Sequence, residues 1–337
     1  MKAFVVEKYG QDGLGAADVP EPTVGNRDVL VRVSAASINP LDKMVRNGEF
    51  RQLLKYKPPF TLGHDVAGIV TRIGSEVRDF EVGDEIYARP RDLRIGTFAE
   101  LIAIDQDDVA PKPESLTLHE AAAVPLVALA AWQVLVDRAH VKAGQKVLVH
   151  AGAGGLGSTV IQLAKHLGAT VATTTGAATE ELVRSLGADI VVDYTKEDFS
   201  KVLDSYDLVL DSLGGENLEK SLTVLKPGGL AIGVAGPPDA EFAKQLGAPW
   251  FMGVAMHALS RKVRKQAKAL GVRYQFFFMR ASGSQLRELA AFYDNGQLRP
   301  VIDHTFPFDQ TLEAMAYVEQ GRTNAGKVVV SVAPGDD

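Results

Sequence analysis

Three glycines that follow a short apolar run have the spacing needed to hold a diphosphate group. Residues 146–157 read Lys-Val-Leu-Val-His-Ala-Gly-Ala-Gly-Gly-Leu-Gly. Gly152 permits a tight turn, Gly154 lets the backbone approach a diphosphate, and Gly157 lets the next helix pack close to the strand. The diphosphate would lie at the helix N-terminus, where unpaired amides and the helix dipole favour negative charge. The pattern therefore predicts a dinucleotide-binding turn.

The segment after the glycines has the spacing of an amphipathic helix. Leu156, Val160, Leu163 and Leu167 recur on one helical face, and Gly168 follows as a stop signal. A purely structural glycine turn is the alternative, because a chain with 32 glycines can contain this pattern by chance. A strand and a helix flank the glycines as a binding turn requires, so we expect five residues at the cofactor. They are Gly152, Gly154, Gly155, Leu156 and Gly157.

The residues after the second predicted strand indicate which dinucleotide binds. NAD-specific folds usually place Asp or Glu about 20 residues past the first glycine, where it binds the ribose hydroxyls. Residues 172–176 of this chain read Ala-Thr-Thr-Thr-Gly instead. A carboxylate would repel a ribose 2′-phosphate, whereas small hydroxyl residues leave room and can donate hydrogen bonds. We predict NADPH, bound near Thr174, Thr175 and Gly176, with Arg184 either supplying positive charge or lying at the surface.

Composition excludes several classes of protein and of site. The chain has no cysteine, which removes disulfides, thiolate nucleophiles and cysteine-ligated zinc, and its net charge of −6 argues against a nucleic-acid partner. A Lys/Arg cluster at 261–268 has the spacing of a solvated helix face. The most apolar stretch, 121–136, is shorter than the roughly 20 residues that span a bilayer. Because Glu7 and Lys8 follow only a few apolar residues, we expect no secretory signal in residues 1–10. We expect a cytoplasmic protein with no membrane partner.

The predicted elements indicate an α/β fold with two domains. Short β-like runs, punctuated by Gly and Pro, fill residues 1–122 and suggest a mostly antiparallel, barrel-like domain. Strands and helices alternate over residues 123–280, as in a doubly wound parallel sheet, with a long helical segment at 239–270 and a last strand at 274–279. Because the amino-terminal part alone looks unfinished, we expect residues 281–337 to fold back onto it.

Five motifs in order resemble the quinone oxidoreductase and enone reductase branch of the medium-chain dehydrogenase/reductases. They are Ile-Asn-Pro-Leu-Asp at 38–42, Gly-His-Asp-Val-Ala-Gly at 63–68, Val-Gly-Asp-Glu-Ile-Tyr at 82–87, the glycine turn at 151–157, and Asn-Ala-Gly-Lys-Val-Val at 324–329. The resemblance covers essentially the whole chain. It implies a GroES-like catalytic domain beside a Rossmann domain.

The resemblance also implies further cofactor contacts, at Tyr194, Leu213, Val234, Ala235, Phe277, Phe278 and Lys327. Taken alone, the two phenylalanines have the alternative of lying in the core or at a subunit interface. The chain departs from the resemblance at Ala177 and Ala178, where relatives often carry Lys or Arg, and this weakens the NADPH prediction without favouring NADH.

A catalytic metal is not expected. The alcohol dehydrogenases of the same superfamily hold zinc with two cysteines and a histidine, and the corresponding positions here are Asn39, His64 and about Leu126. One histidine cannot build a site that needs three protein ligands. We therefore interpret His64 as a structural, hydrogen-bonded group.

Hydride transfer to an acceptor already activated by conjugation needs no zinc, which favours quinones and α,β-unsaturated carbonyls over alcohols. Asn39, Lys43 and Tyr56 are the candidates for steadying the developing oxyanion; Asn39 has the alternative of a turn former, and Lys43 of a solvent-facing side chain. A redox sensor that binds NADPH with little turnover and a reductase of saturated aldehydes or ketones are the competing hypotheses. The strand at 274–279 would lie at a sheet edge, and from this we expect a homodimer.

Overall fold

The computed structural model describes residues 1–333, which group into two compact units. One contains residues 1–129 and 280–333, and the other contains residues 130–279. The sequence analysis predicts the boundaries at 122 and 280.

The first unit is built on antiparallel sheets around an apolar core. Its strands are β1 (Lys2–Val6), β2 (Leu14–Asp18), β3 (Asp28–Ile38), β4 (Phe60–Thr61), β5 (Asp65–Ile73), β6 (Glu85–Ala88), β7 (Leu101–Asp105), β8 (Val109–Pro111), β15 (Ile302–Pro307) and β16 (Lys327–Ser331). The larger sheet has the order β15-β16-β3-β5-β6-β8, with β7 also paired to β3. Strand β16 pairs antiparallel with β3, so the carboxyl-terminal segment adds a strand to the sheet of the amino-terminal part.

Five helices accompany these strands. They are α1 (Pro40–Arg46), α2 (Leu118–Ala122), α3 (Pro125–Trp132), α11 (Gly283–Asp294) and α12 (Thr311–Glu319). The central strand β3 is buried along nearly its whole length because its side chains are small or β-branched and both of its faces are covered. The chain leaves β3 directly into α1, and this places polar side chains at the end of a buried strand.

The second unit is a parallel sheet flanked by helices. Its strands are β9 (Lys146–Val149), β10 (Thr170–Thr175), β11 (Ile190–Asp193), β12 (Tyr206–Asp211), β13 (Leu225–Gly233) and β14 (Arg273–Phe276). Its helices are α4 (Gly155–His166), α5 (Glu180–Ser185), α6 (Phe199–Val202), α7 (Gly215–Ser221), α8 (Ala240–Gln245), α9 (Trp250–Leu259) and α10 (Arg261–Ala269). The strand order β11-β10-β9-β12-β13-β14 is the 3-2-1-4-5-6 order of a dinucleotide-binding fold. The predicted α/β fold class is confirmed.

Two predicted elements of this unit were wrong in extent. The single helical segment expected at 239–270 is three helices, because Gly247 takes a positive φ of 62° and Pro249 precedes α9, so the chain turns before it continues. The strand expected at 274–279 ends at Phe276, which leaves Phe277 and Phe278 beyond it. Strand β14 does lie at the sheet edge, as predicted.

Candidate functional site

The candidate cofactor residues of the second unit follow the carboxyl ends of its strands. In a parallel sheet the carboxyl ends of all strands lie on the same side. Strands β9 and β12 are neighbours, and the chain connections that follow them run in opposite directions, which leaves a crevice for ligands between them. The glycine turn follows β9, Gly176 follows β10, and Tyr194 follows β11. The sheet topology therefore places these residues together at the carboxyl ends of the strands.

The glycine turn is shaped by close packing. A Cβ atom on Gly152 would lie 2.0 Å from Thr173 Oγ1, and one on Gly157 would lie 2.3 Å from the Ala151 carbonyl oxygen. The positive φ of the turn, 53°, occurs at Ala151 and not at Gly152. Gly152 is therefore required by the close approach of strand β10 and not by a positive φ of its own. Gly157 does allow the close helix packing that was predicted.

Gly154 differs from its neighbours because little in the fold opposes a side chain there. A Cβ atom on Gly154 would meet only the Ala151 carbonyl oxygen, at 3.3 Å. Gly154 is the N-cap of α4, and no side chain caps this helix, so the first-turn amides of Gly155, Leu156 and Gly157 are left for an anion. The residues present thus fit a nucleotide diphosphate.

The adenosine end of the predicted site brings two residues together. A Cβ atom on Gly176 would lie 3.6 Å from the Tyr194 hydroxyl, and the Tyr194 side chain is 66% exposed. Thr174 and Thr175, which the sequence analysis places near the cofactor, have side-chain partners of their own. The Thr174 hydroxyl bonds His150 Nδ1 at 3.0 Å, and the Thr175 hydroxyl pairs with that of Thr179 at 2.5 Å.

Arg184 lies on the exposed face of α5 and pairs with Glu180 one turn earlier, at 2.9 Å. An exposed pair at this spacing contributes only about 0.3–0.5 kcal/mol, so an incoming phosphate would displace it at little cost. Arg184 is therefore a surface residue in this structure that remains free to change partner.

The ends of β12 and β13 lie side by side. Val234 donates its amide to the Asp211 carbonyl oxygen at 2.9 Å, and Leu213 donates its amide to the Asp211 carboxylate at 3.2 Å. A Cβ atom on Gly214 would lie 2.7 Å from the Ala235 carbonyl oxygen. The structure thus gathers the predicted contacts Leu213, Val234 and Ala235.

Phe277 and Phe278 are buried side chains that follow β14. Phe277 donates its amide to the Gly233 carbonyl oxygen at 2.9 Å, and the Phe278 ring packs at 5.2 Å on that of Phe242. Phe278 therefore packs in the core, and the cofactor contacts implied for the two phenylalanines stay predictions.

The sequence analysis did not predict a buried hydrogen-bond network next to the glycine turn, formed by His150, Thr174 and Ser221. His150 Nδ1 lies 3.0 Å from the Thr174 hydroxyl oxygen, and His150 Nε2 lies 2.9 Å from the Ser221 hydroxyl oxygen. Burial lowers the pKa of His150 to about 4, so the imidazole is neutral at physiological pH. The signal in the sequence was a histidine at the end of an otherwise apolar strand. We infer that this network stabilises the turn, because the Thr174 hydroxyl oxygen also accepts a hydrogen bond from the Ala151 amide at 3.3 Å.

Acid should destabilise the second unit through His150. The folded-state pKa lies below the unfolded value near 6.5, so the unfolded state binds the extra proton and stability is lost as pH falls from about 6.5 toward 4. We expect the free energy of unfolding to drop by about 2 kcal/mol between pH 7 and pH 5. Chemical denaturation across this range measures it.

The matched control is His150→Gln, which should flatten this part of the profile. Asp211, whose pKa is raised by burial, acts in the opposite direction in both proteins and therefore cancels in the difference. Equal acid dependence in the two proteins would contradict the assignment to His150.

In the first unit, the end of β3 and the start of β16 share a buried polar cluster. The Asp65 carboxylate, fully buried, accepts from Asn39 Nδ2 at 2.8 Å, Lys327 Nζ at 3.2 Å and the Leu126 amide at 2.8 Å. Lys327 Nζ also donates to Asn39 Oδ1 at 2.5 Å and to the Ile38 carbonyl oxygen at 3.0 Å. The three N–H groups of the ammonium thus have three internal acceptors. The resemblance implies a cofactor contact at Lys327, and a hydrogen bond from its ammonium to a cofactor would require breaking one of these three bonds.

His64 belongs to the same region and pairs with α1. Its Nδ1 lies 2.6 Å from Asp42 Oδ1, both side chains are fully buried, and the second Asp42 oxygen accepts the Asn39 amide at 2.7 Å. His64 is therefore hydrogen-bonded, as the sequence analysis expected. Its Nε2 has no partner among residues 1–333.

The positions that correspond to zinc ligands are close together but have the wrong chemistry. Asp65 bonds both Asn39 and Leu126 and follows His64 in the chain. Leu126 offers no donor side chain, and the Lys327 ammonium beside Asn39 would repel a second cation. This donor set does not fit zinc.

Tyr56 is placed to donate a hydrogen bond. Its hydroxyl oxygen accepts the Leu93 amide at 3.0 Å, its backbone carbonyl accepts the Tyr9 hydroxyl, and its ring stacks on Phe60 at 5.1 Å. Burial, with a contribution from nearby Asp92, raises the pKa of Tyr56 well above its usual value, so the hydroxyl stays protonated. With the oxygen held by a backbone amide, the O–H hydrogen is free to donate elsewhere.

The other two catalytic candidates differ from Tyr56. Asn39 is only 2% exposed, and its amide group is already bonded to Asp65 and Lys327. Lys43 is half-buried on α1, and its ammonium has no hydrogen-bond or ion-pair partner in the part of the chain that the structure describes. The geometry favours Tyr56 as the donor and gives Asn39 a positioning role.

Comparison with known proteins matches both units. Residues 25–114 match the family model "Alcohol dehydrogenase GroES-like domain", and residues 186–330 match "Zinc-binding dehydrogenase", a description that the donor set above does not fit. The chain is 36% identical to NAD(P)H oxidoreductase RTN4IP1, mitochondrial, of Danio rerio, over 98% of this chain and 91% of that protein.

Two further relatives extend the match. The chain is 35% identical to the NADPH-dependent alkenal/one oxidoreductase, chloroplastic, of Arabidopsis thaliana, over 99% of this chain and 80% of that protein. Among solved structures, the quinone oxidoreductase from Coxiella burnetii superposes with a TM-score of 0.85 at 30% identity, covering 99% of both chains.

Proposed function

The chain belongs to the zinc-independent quinone oxidoreductase and enone reductase branch of the medium-chain dehydrogenase/reductase superfamily, and we propose that it transfers hydride from NADPH to quinones or α,β-unsaturated carbonyls. It is a nicotinamide-dependent oxidoreductase. The observation that carries the proposal is the N-terminus of α4, where no side chain caps the helix and Gly154 leaves room for an anion.

The chain's own residues have three tasks in this proposal. The α4 amides and dipole bind the diphosphate, and Gly176 with Tyr194 accommodates the adenosine end. The bound nicotinamide supplies the hydride. Tyr56 donates its O–H to the acceptor oxygen as negative charge develops there, while the Asn39, Asp65 and Lys327 cluster holds the end of β3 in place. An acceptor activated by conjugation needs no Lewis acid, which suits a donor set that cannot bind zinc.

Removing the Tyr56 hydroxyl should slow turnover with little change in cofactor binding. We expect Tyr56→Phe to lower kcat about 100-fold, since losing one oxyanion donor commonly costs about 10²–10³-fold. The measurement is steady-state oxidation of NADPH with an enone acceptor, beside a binding titration with NADPH.

A second tyrosine provides the control. Tyr317 lies on α12, and its hydroxyl bonds Asp303 at 2.8 Å. Tyr317→Phe removes this hydroxyl and should leave kcat unchanged. Full turnover in Tyr56→Phe would contradict the role of Tyr56 as the oxyanion donor. Lys43 would then be the donor, and Lys43→Met should lower kcat.

The experiment that tests the function is a comparison of cofactors and acceptors on the purified chain. Turnover with NADPH and a 1,4-quinone or a short enone supports the proposal, and the better acceptor identifies the branch. Tight NADPH binding without turnover on any acceptor would favour the redox-sensor hypothesis. Turnover with saturated aldehydes alone would favour the carbonyl reductase.

The choice of NADPH over NADH rests on the absence of a carboxylate at Thr174, Thr175 and Gly176 and on the exposed ring of Tyr194. We also propose a homodimer, because β14 leaves one row of backbone groups unpaired at the edge of the sheet. A cytoplasmic location stays a prediction from the sequence; two of the relatives named above are organellar. Within residues 1–333, no helix has the length and apolarity to cross a bilayer.

A further inference from the structure

Helix α9 exposes apolar side chains that the fold does not cover. The exposed fractions are 82% for Trp250, 57% for Phe251, 61% for Val254 and 65% for Leu259, whereas Met256 is buried. At 100° per residue these four side chains lie within one half of the helix surface. Large apolar side chains grouped on one exposed face mark an interaction surface.

Helix α10 follows directly and is basic on its exposed side. Val263 and Ala267, one turn apart, are buried in the core of the second unit, so the opposite side of α10 faces outward. The exposed basic residues are Arg261, Lys262, Lys265 and Lys268. Of these, Lys262 pairs with Glu219, and the other three have no ion-pair partner among the described residues.

Charge is segregated to this segment. Residues 250–273 contain six basic side chains and no Asp or Glu, although the whole chain has a net charge of −6. The six are Arg261, Lys262, Arg264, Lys265, Lys268 and Arg273. An acidic protein that concentrates positive charge beside exposed aromatic side chains presents a surface complementary to negative charge and apolar matter together.

We propose that the α9–α10 surface binds the face of an anionic phospholipid bilayer. Trp250, Phe251 and Val254 would enter the boundary between headgroups and acyl chains, and the α10 cations would contact the lipid phosphates. The sequence analysis expected no membrane partner because no segment spans a bilayer, but surface binding needs no spanning segment. The inference is independent of the proposed reductase activity.

Two other partners fit this surface less well. A second copy docked symmetrically would bring two basic α10 faces together, and like charges in an interface are unfavourable. A nucleic acid would engage the basic residues but would leave the aliphatic side chains of Val254 and Leu259 in water. An anionic lipid surface can contact both the apolar side chains of α9 and the basic side chains of α10.

The test is vesicle flotation with the purified full chain. Vesicles of phosphatidylcholine with about 30% phosphatidylglycerol should bind it at least tenfold more tightly than pure phosphatidylcholine, and added salt should weaken binding. The emission of Trp250 should shift to the blue on the anionic vesicles. Absence of binding to anionic vesicles at low salt would overturn the proposal.

Paired variants separate the two contributions. We expect Trp250→Ser with Val254→Ser, and separately Lys265→Glu with Lys268→Glu, each to lower vesicle binding at least tenfold. Matched controls on other exposed positions, Val202→Ser with Leu312→Ser and Lys8→Glu with Lys201→Glu, should bind like the unmodified chain.

Every variant should have the thermal midpoint of the unmodified chain and its rate of NADPH oxidation with a water-soluble acceptor. These two measurements distinguish a failure of the reductase proposal from a failure of the membrane-binding proposal. Binding that the variants do not weaken would overturn the assignment to α9–α10. A dimer that Trp250→Ser with Val254→Ser dissociates would assign the surface to a second copy instead.

Discussion

Gly154→Asp is expected to weaken NADPH binding at least about 100-fold, or ~2.7 kcal/mol, while leaving the thermal midpoint unchanged or higher. Gly154 is the N-cap of α4, at φ −70° and ψ 166°, a conformation that Asp adopts readily. Asp is among the best N-cap residues, so the helix gains a partner for its first amides. The same carboxylate occupies and charges the position where the diphosphate must lie. Titration with NADPH and thermal denaturation measure the two effects.

Gly154→Asn provides the control, because Asn has the shape and capping ability of Asp without its charge. It should retain more NADPH affinity than the Asp variant. Gly157→Ala tests the contrast with a glycine required by the fold: its Cβ would lie 2.3 Å from the Ala151 carbonyl oxygen, so this variant should lose stability first. Unchanged NADPH affinity in Gly154→Asp would remove the helix terminus from the site.

Lys327→Met should produce the largest loss of stability, about 3–5 kcal/mol. The Lys327 side chain is 6% exposed and its ammonium faces the fully buried Asp65, so removal of the ammonium leaves a carboxylate without a neutralising cation. It also frees Asn39 Oδ1 and the Ile38 carbonyl oxygen, which lose their donor. Chemical denaturation of the variant and the unmodified chain measures the difference.

The double variant Asp65→Asn with Lys327→Met removes both charges and should recover much of the loss. An amide at 65 keeps an oxygen for the Leu126 amide at 2.8 Å without the cost of a buried charge. Equal losses in the single and double variants would show that packing of the Lys327 side chain, and not neutralisation of Asp65, stabilises the cluster.

The sequence anticipated much of the fold because its signals were local. The glycine spacing at 152, 154 and 157, with an apolar run before it and helical periodicity after it, predicted β9 and α4 to within a residue or two. Alternation of strands and helices predicted the parallel sheet. Strand β15 was missed because its sequence, Ile-Asp-His-Thr-Phe-Pro, is polar at positions that face solvent along a sheet edge.

Other contacts were not predicted because the partner of the side chain is distant in sequence. The Thr174 hydroxyl bonds His150, 24 positions earlier. The Lys327 ammonium bonds Asn39, 288 positions away.

By itself, the sequence determined the glycine turn between a strand and a helix, the absence of a three-ligand zinc set and the alternation of strands and helices in the parallel sheet, since residue identity and short spacing decide all three. Only the tertiary structure decided how the glycines differ, with Gly152 and Gly157 required by packing and Gly154 open to a ligand. It also decided that Lys327 neutralises Asp65. Both depend on which strands become neighbours: β10 lies beside β9, and β16 beside β3. Strand pairing brings together residues that no local pattern connects, and the chemistry of the buried groups follows from that pairing.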